Sequence, residues 1–300
     1  MKIAIAGASG FVGTALSRFL LDAGHTVTGL GTSPTHPLQS TAKFAWIRAD
    51  TTRHGDWQSI ISHADAVINL AGRTIFKRWT RTYKRQIVES RIRTTRNIVG
   101  AMTGDGQILV STSAVGYYGN RGEEALTEAS APGDDFLARV AVDWEKAAQD
   151  AEALDARVVI MRLGVVLGPG GGALAQMLPA FKLFAGGPLG RGRQWFPWIH
   201  MHDLLAAVAF LLADNHARGP YNFCSPGAVR QKDFARALGA VLGRPAVLPA
   251  PSLALRLMMG EMAGLLLTSQ KAHPDRLLSA GFDFHFARVD EALGDLVKQS

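Results

Sequence analysis

Seven residues near the N-terminus, Gly7-Ala8-Ser9-Gly10-Phe11-Val12-Gly13, have the types and spacing to seat a pyrophosphate. Three glycines let the backbone approach phosphate oxygens closely. A helix that starts at such a turn presents unbonded N–H groups to the negative charge. The glycine pattern alone is weak, and its setting gives it weight. Residues 2–6 before it are an apolar strand, Thr14 to Leu21 after it have helical periodicity, and a second strand follows at Val27. Strand, turn, helix and strand within about thirty residues make a βαβ unit. In that context such glycines bind a dinucleotide, whereas elsewhere they only close a tight turn.

The elements that must position this loop continue the same alternation. Apolar, β-branched runs at 27–30, 44–48, 66–70, 108–112 and 157–162 predict strands, with helices from about residue 80 and over 136–153. Strands without polar alternation belong to a parallel sheet covered on both faces. The expected fold is α/β, a doubly wound (Rossmann) parallel sheet. After about Gly164 the glycine-rich stretches 168–172 and 186–190 punctuate helices expected at 173–184, 203–213, 231–242 and 253–267, with a short strand at 221–224. Residues 1–165 are therefore expected to form the dinucleotide-binding domain. Residues 166–300 are expected to form a smaller, mostly helical substrate lobe, with a soft boundary and interleaved lobes.

Composition narrows the function classes. The chain has 300 residues, 47% of them hydrophobic, enough for a full core. Its one cysteine, Cys224, rules out an intramolecular disulfide and a cysteine-rich zinc site. The most apolar stretch, 252–269, is interrupted by Arg256 and Glu261, too short and too charged to span a membrane, and reads as a buried helix pair. A strand that begins at Met1 leaves no room for a signal peptide, so a cytoplasmic protein without a membrane partner is expected. Of the net charge of +7, much sits between Arg73 and Arg96, with nine basic residues against Glu89 alone. Tyr83, Ile87, Thr94 and Ile98 recur there at helical spacing, giving one helix with an apolar and a cationic side. A phosphate-bearing cofactor or an anionic substrate accounts for that side without nucleic acid. His200 and His202 ahead of Asp203 are not at a standard ligand spacing, and no metal is expected. Asp203 reads as a helix cap.

Several further motifs join the glycine loop: Asn69-Leu-Ala-Gly72, Arg78-Trp-Thr80, Ser90-Arg91, Ser111-Thr-Ser-Ala-Val-Gly-Tyr-Tyr-Gly119, Pro132-Gly-Asp-Asp-Phe-Leu-Ala138, Arg162-Leu-Gly-Val-Val-Leu-Gly168 and Gln194-Trp-Phe-Pro-Trp-Ile-His200. Together they make the chain, over essentially its whole length, resemble the extended short-chain dehydrogenases/reductases of the NAD(P)-dependent epimerase/dehydratase type. It is more narrowly similar to an atypical, epimerase-like branch with an extra C-terminal helical segment. At the end of the second strand, Gly31 and Thr32 offer no carboxylate to a ribose 2′-hydroxyl. Missing repulsion and the resemblance both point to NADP, with NAD possible. The arginine common in relatives is Thr32 here. Asp50 either accepts from the adenine amino group or caps a turn. Leu70, Ala71 and Gly72 give the cofactor backbone room. By resemblance, Arg91 faces ribose or phosphate, with Gln86 sharing its face, and Val166 leads into a loop beside the nicotinamide.

The resemblance also implies a catalytic tyrosine followed four residues later by lysine, the cation that lets a phenol ionise near neutrality. This chain has four tyrosines, Tyr83, Tyr117, Tyr118 and Tyr221, and their i+4 partners are Ile87, Arg121, Gly122 and Ser225. Where the pair should fall, residues 134–145 contain neither. Ser113 matches the family's hydroxyl-binding position, and Tyr117 or Tyr118 is the remaining proton donor, with aromatic packing as the alternative for either. Asp135 and Arg139 either contact substrate or cap and solvate a helix. Arg193 and Trp198, with Arg191 and Gln194, are candidates on the substrate side for a small anionic or sugar-like molecule. Two functions stand: an NADP-dependent, epimerase-like oxidoreductase, and a catalytically silent dinucleotide-binding sensor or scaffold.

Overall fold

The computed structural model describes residues 1–104 and 106–298. In chain order the strands are β1 (Lys2–Ala6), β2 (Thr26–Gly31), β3 (Phe44–Arg48), β4 (Ala66–Asn69), β5 (Ile108–Ala114), β6 (Ala125–Leu126), β7 (Arg157–Leu163), β8 (Val165–Leu167), β9 (Trp195–Phe196), β10 (Trp198–His200), β11 (Gly219–Phe223), β12 (Val229–Arg230) and β13 (Lys271–Ala272). The helices are α1 (Phe11–Asp22), α2 (Gln58–Ser62), α3 (Arg81–Val99), α4 (Phe136–Gln149), α5 (Gly172–Lys182), α6 (Met201–Ala213), α7 (Gln231–Leu242), α8 (Ser252–Met259), α9 (Ala263–Leu267), α10 (Asp275–Ser279) and α11 (Val289–Lys298).

Seven strands build one parallel sheet in the order β11-β7-β5-β4-β1-β2-β3. Strand order reverses between β1 and β4, so the crevice of this doubly wound fold opens at their C-terminal ends. Both faces are covered, which is why the strands are continuously apolar. Ile3 and Ile5 point to the layer containing α1 and α6, where Leu16, Leu20, Leu204 and Leu211 are buried. Ala4 and Ala6 point to the other layer, with Ile61 of α2, Ile98 of α3 and Ala148 of α4. A third core unites Leu174 and Phe181 of α5, Phe234 and Leu238 of α7, and Leu293 and Leu296 of α11.

Three expectations need correction. The strand near 221–224 belongs to the main sheet as β11, paired to β7 from Gly219↔Val159 to Phe223↔Leu163. Asp203 does not cap α6, since His200 is the N-cap and its ring accepts from the His202 N–H at 3.0 Å. Asp203 is buried and accepts instead from the backbone N–H groups of His285 and Phe286 at 2.9 and 3.0 Å, fastening the C-terminal segment to α6. The apolar stretch 252–269 is not a buried helix pair, because no residue of α8 is buried.

Candidate active site

The glycine loop has the conformation its sequence predicts. Gly7 has φ +83°, a region open to glycine and strained for other residues, and a Cβ there would lie 2.9 Å from the Leu70 carbonyl group. At Gly13 a Cβ would lie 2.3 Å from the Gly7 carbonyl oxygen. Gly10 is the N-cap of α1 and contributes no side-chain cap, and the first turn holds no acid. The leading N–H groups of α1 thus face the crevice without a side-chain acceptor, as an anion site requires. Phe11 points away from them, into the other lobe. Cβ atoms at Gly168, Gly171 or Gly172 would come within 2.8, 2.4 and 2.7 Å of its ring, so those glycines exist to admit it.

Around this loop stand the other strand ends. Gly31 leaves space where a Cβ would meet Trp46 at 2.8 Å and the Ser9 hydroxyl at 3.4 Å. Thr32 is exposed beside it. His36, which the sequence reading passed over, takes the Leu38 N–H on Nδ1 at 3.0 Å, so Nε2 carries the hydrogen and donates to the Ala8 carbonyl at 3.0 Å. That bond holds the segment after β2 against the glycine loop. Asp50 accepts from the N–H and hydroxyl of Thr52 at 3.1 and 2.6 Å, the turn-capping alternative.

Leu70, Ala71 and Gly72 follow β4, where Asn69 Oδ1 accepts from the Ala71 N–H at 3.2 Å. Arg91 reaches them from α3. A Cβ on Gly72 would lie 3.2 Å from its guanidinium carbon, and its Nη1 donates to the carbonyls of Arg73 and Ile87 at 3.1 and 3.2 Å. Burial draws its pKa down to about 10. Among the described residues no carboxylate neutralises it, and its guanidinium lies 5.1 Å from the centre of the Trp144 ring. Gln86 is half-buried on the same helix, and Val166 lies in β8, paired with Ile199.

Two of the three candidate catalytic hydroxyls are committed elsewhere. Ser113 is buried and donates to Glu145 of α4 at 2.6 Å. Glu145 holds Arg162 of β7 through two bonds, at 2.9 and 2.8 Å. Arg162 donates to the Tyr118 hydroxyl at 3.0 Å and the Glu128 carbonyl at 3.1 Å, and Tyr118 donates to Asn222 of β11 at 2.7 Å. Burial lowers Arg162's affinity for its proton, but hydrogen bonds and charge from Glu145 outweigh it and hold the group above its usual range. Tyr118 is fully buried, and its pKa is pushed up to about 12. Its hydroxyl is bonded on both sides, to Arg162 and Asn222. Ser113, with its hydrogen given to Glu145, is likewise part of this network. Sequence reading missed Glu145, Arg162, Asn222 and Glu128. Arg162, a charge closing the apolar run Val158 to Met161 of β7, was the available signal.

Tyr117 differs. Its ring lies on the Arg162 guanidinium, 3.5 Å from centroid to Cζ, and edge-on to Tyr118. The residue is half-buried, and its hydroxyl makes no hydrogen bond among the described residues. Thr112, one residue before Ser113 and facing the other side of β5, has a buried hydroxyl with no partner. Ser111 of β5 likewise has a buried hydroxyl without a partner among the described residues, and of these groups the half-buried Tyr117 is the one least enclosed. Asp135 caps α4 by accepting from the Ala138 N–H at 2.9 Å, and Arg139 donates to the Asp134 carbonyl. Trp198, expected on the substrate side, is buried in the third core and donates to the Gly227 carbonyl at 3.1 Å. Gln194 braces the Leu189 and Leu266 carbonyls, at 3.1 and 3.0 Å. Arg193 is exposed.

Parallel sheet, strand reversal and glycine-bounded helix define a Rossmann dinucleotide-binding protein of the extended short-chain dehydrogenase/reductase type. The comparisons make this particular. The chain belongs to the NAD dependent epimerase/dehydratase family, whose model matches residues 3–224, and residues 250–296 match DUF1731, a domain of unknown function. It is 38% identical to an Arabidopsis thaliana "Epimerase family protein SDR39U1 homolog, chloroplastic", across 98% of this chain and 86% of that protein. The crystal structure of human epimerase family protein SDR39U1 (isoform 2) with NADPH superposes with a TM-score of 0.87, at 33% identity and covering 100% of both chains. MoeE5, solved with UDP-glucuronic acid and NAD, shares the fold at 19% identity and a TM-score of 0.83 over 100% of this chain and 98% of its own. No helix among the described residues is long and apolar enough to cross a membrane.

Proposed function

We propose that this protein is an NADP-dependent, epimerase-like oxidoreductase acting on a small anionic or sugar-like molecule. The observation that carries the cofactor reading is the start of α1, bounded by Gly7, Gly10 and Gly13 and without a side-chain cap. Ser9, Val12 and the glycine amides hold the pyrophosphate, and Arg91 supplies the counter-charge. The absence of a carboxylate at Gly31 and Thr32 admits a 2′-phosphate, in keeping with the human relative solved with NADPH. Residues 1–165 provide the cofactor half, and the chain beyond provides the substrate lobe. Lys77, Arg78 and Arg81 are exposed and make no ion pair among the described residues, which suits an anionic substrate.

Reduced nicotinamide would supply a hydride to a substrate carbonyl. Tyr117 would then give that oxygen its proton, the part that the tyrosine of the missing tyrosine–lysine pair would play. Calorimetry with NADPH and NADH, followed by NADPH oxidation over a panel of carbonyl compounds, tests both parts. Tight NADPH binding and turnover lost in Tyr117→Phe support the reading. Failure to bind either nucleotide removes it. Tight binding without any turnover favours the second reading, a sensor or scaffold, which the burial of Ser113 and Tyr118 also favours.

A further inference from the structure

Helix α8 buries nothing. Leu253, Leu257 and Met258 are 69%, 79% and 80% exposed; Leu253 and Leu257 share one side at i, i+4 spacing, and Met258 follows on the adjoining side. Two loops extend the same apolar surface. Val247 and Leu248 precede the helix, exposed by 74% and 57%, and Leu183 and Phe184 follow α5, exposed by 77% and 53%. The loops adjoin, since the Gly190 N–H donates to the Ala250 carbonyl and the Ala250 N–H to the Pro188 carbonyl, both at 2.8 Å. The Arg244 guanidinium lies 4.4 Å from the Phe184 ring. A contiguous apolar patch of this kind marks an interaction surface in a folded protein.

Its charge says what the surface meets. No Asp or Glu occurs between Asp155 and Asp203, or between Asp233 and Glu261, the two stretches that build the patch. They contribute six exposed cations; Arg236 pairs with Asp233, and Lys182, Arg191, Arg193, Arg244 and Arg256 make no ion pair among the described residues. A second copy docked through the same face would set five cations against five, so self-association is disfavoured. A protein interface of ordinary chemistry has a mixed polar rim, and here the unpaired charges are cations, while Asp233 and Glu261 at the ends of the second stretch pair with Arg236 and Lys84. Protruding leucines and methionine ringed by arginine and lysine match the interfacial mode, in which apolar side chains enter the acyl boundary and cations meet lipid phosphates.

We propose that α8 and its flanking loops dock this protein on an anionic lipid surface, with Leu253, Leu257 and Met258 inserted and the five cations on headgroups. The absence of a spanning helix is compatible with this, because the contact lies on the bilayer and does not cross it. The inference does not rest on the proposed reaction.

Sedimentation of the full chain with vesicles tests it. Phosphatidylcholine–phosphatidylglycerol vesicles are expected to carry the protein down, and phosphatidylcholine alone to carry much less. Leu257→Asp with Met258→Asp should abolish the binding, while NADPH affinity and melting temperature stay unchanged because these side chains contact nothing inside. Arg244→Gln and Arg256→Gln should each weaken it about fivefold. No binding to anionic vesicles overturns the proposal, as does binding untouched by the Leu257/Met258 variant. A concentration-dependent dimer lost in that variant, or capture of poly-glutamate with no vesicle binding, would overturn it by assigning the face to a second copy or an acidic protein.

Discussion

Tyr117 and Tyr118 are adjacent, chemically identical and differently placed, so exchanging each for phenylalanine separates chemistry from structure. If Tyr117 moves the proton, Tyr117→Phe should lower turnover by about 10²–10⁴-fold with the melting temperature nearly unchanged. Tyr118→Phe leaves Asn222 and Arg162 short of a buried partner and should cost about 1–3 kcal/mol in a urea titration. Removing Glu145 is the harsher change. Glu145→Ala strands a buried guanidinium and should cost roughly 3–5 kcal/mol, as loss of one member of a buried pair does. Glu128 adds a pH signature. Burial raises its pKa above 4.5, against hydrogen bonds from the Asn222 and Arg276 N–H groups, and its Oε2 has no partner. The folded state therefore holds this proton more tightly than the unfolded chain does. The stability that proton gives is complete below the ordinary glutamate range and is lost as pH rises through the raised value. Denaturant midpoints of Glu128→Gln should lack that decline, and an unchanged profile would remove Glu128 as its source. The pairing within this network was not readable beforehand. A sequence names Ser113 and Tyr118, but only the fold shows that Glu145 and Asn222, 32 and 104 residues away, claim their hydroxyls.

Elements were legible where one physical signal governs them. The β1–α1–β2 unit follows from apolar runs, three glycines and an uncapped helix start, and the structure matches it at those residues. β11 was placed in the wrong lobe because it opens with Gly219-Pro220, weak strand formers, and its partner β7 ends 56 residues earlier. α11 was passed over although Val289, Ala292, Leu293 and Leu296 carry a clear helical stripe. α8 misled in the opposite direction, since apolar composition does not say whether a covering surface exists. The glycines at 168–172 read as loop punctuation, yet three of them form the seat of the Phe11 ring. Phe11→Ala should accordingly loosen the two lobes from each other. A loss near the low end of about 3–5 kcal/mol is expected for a partly buried ring, with weaker NADPH binding because the first turn of α1 loses its anchor. A thermal melt with and without nucleotide reads both effects.

At the scale of the molecule, the question is whether two lobes behave as one. The chain crosses between them repeatedly. β11 completes the main sheet, α6 packs on α1, and Asp203 of α6 holds the backbone of residues 285 and 286. Arg157 of β7 donates to the carbonyls of Leu211, Leu212 and Ala217, tying the end of α6 to the sheet. Such interleaving gives neither lobe a boundary at which to unfold alone. One cooperative transition is expected, with Trp57 and Trp144 in the sheet layers and Trp198 in the third core reporting the same midpoint. Asp203→Ala removes a charged acceptor from two N–H groups and should lower that midpoint, by about 1.5–3 kcal/mol per bond at most. It should also split the transition, with Trp198 reporting first. NADPH at a hundred times its dissociation constant should stabilise the whole by about 2.7 kcal/mol, moving all three tryptophan signals together in the parent. In Asp203→Ala it should move the Trp57 and Trp144 signals more than that of Trp198. A parent protein whose Trp198 melts independently would show that the C-terminal part is a separate unit, and the coupling argued from Asp203 and Arg157 would fail.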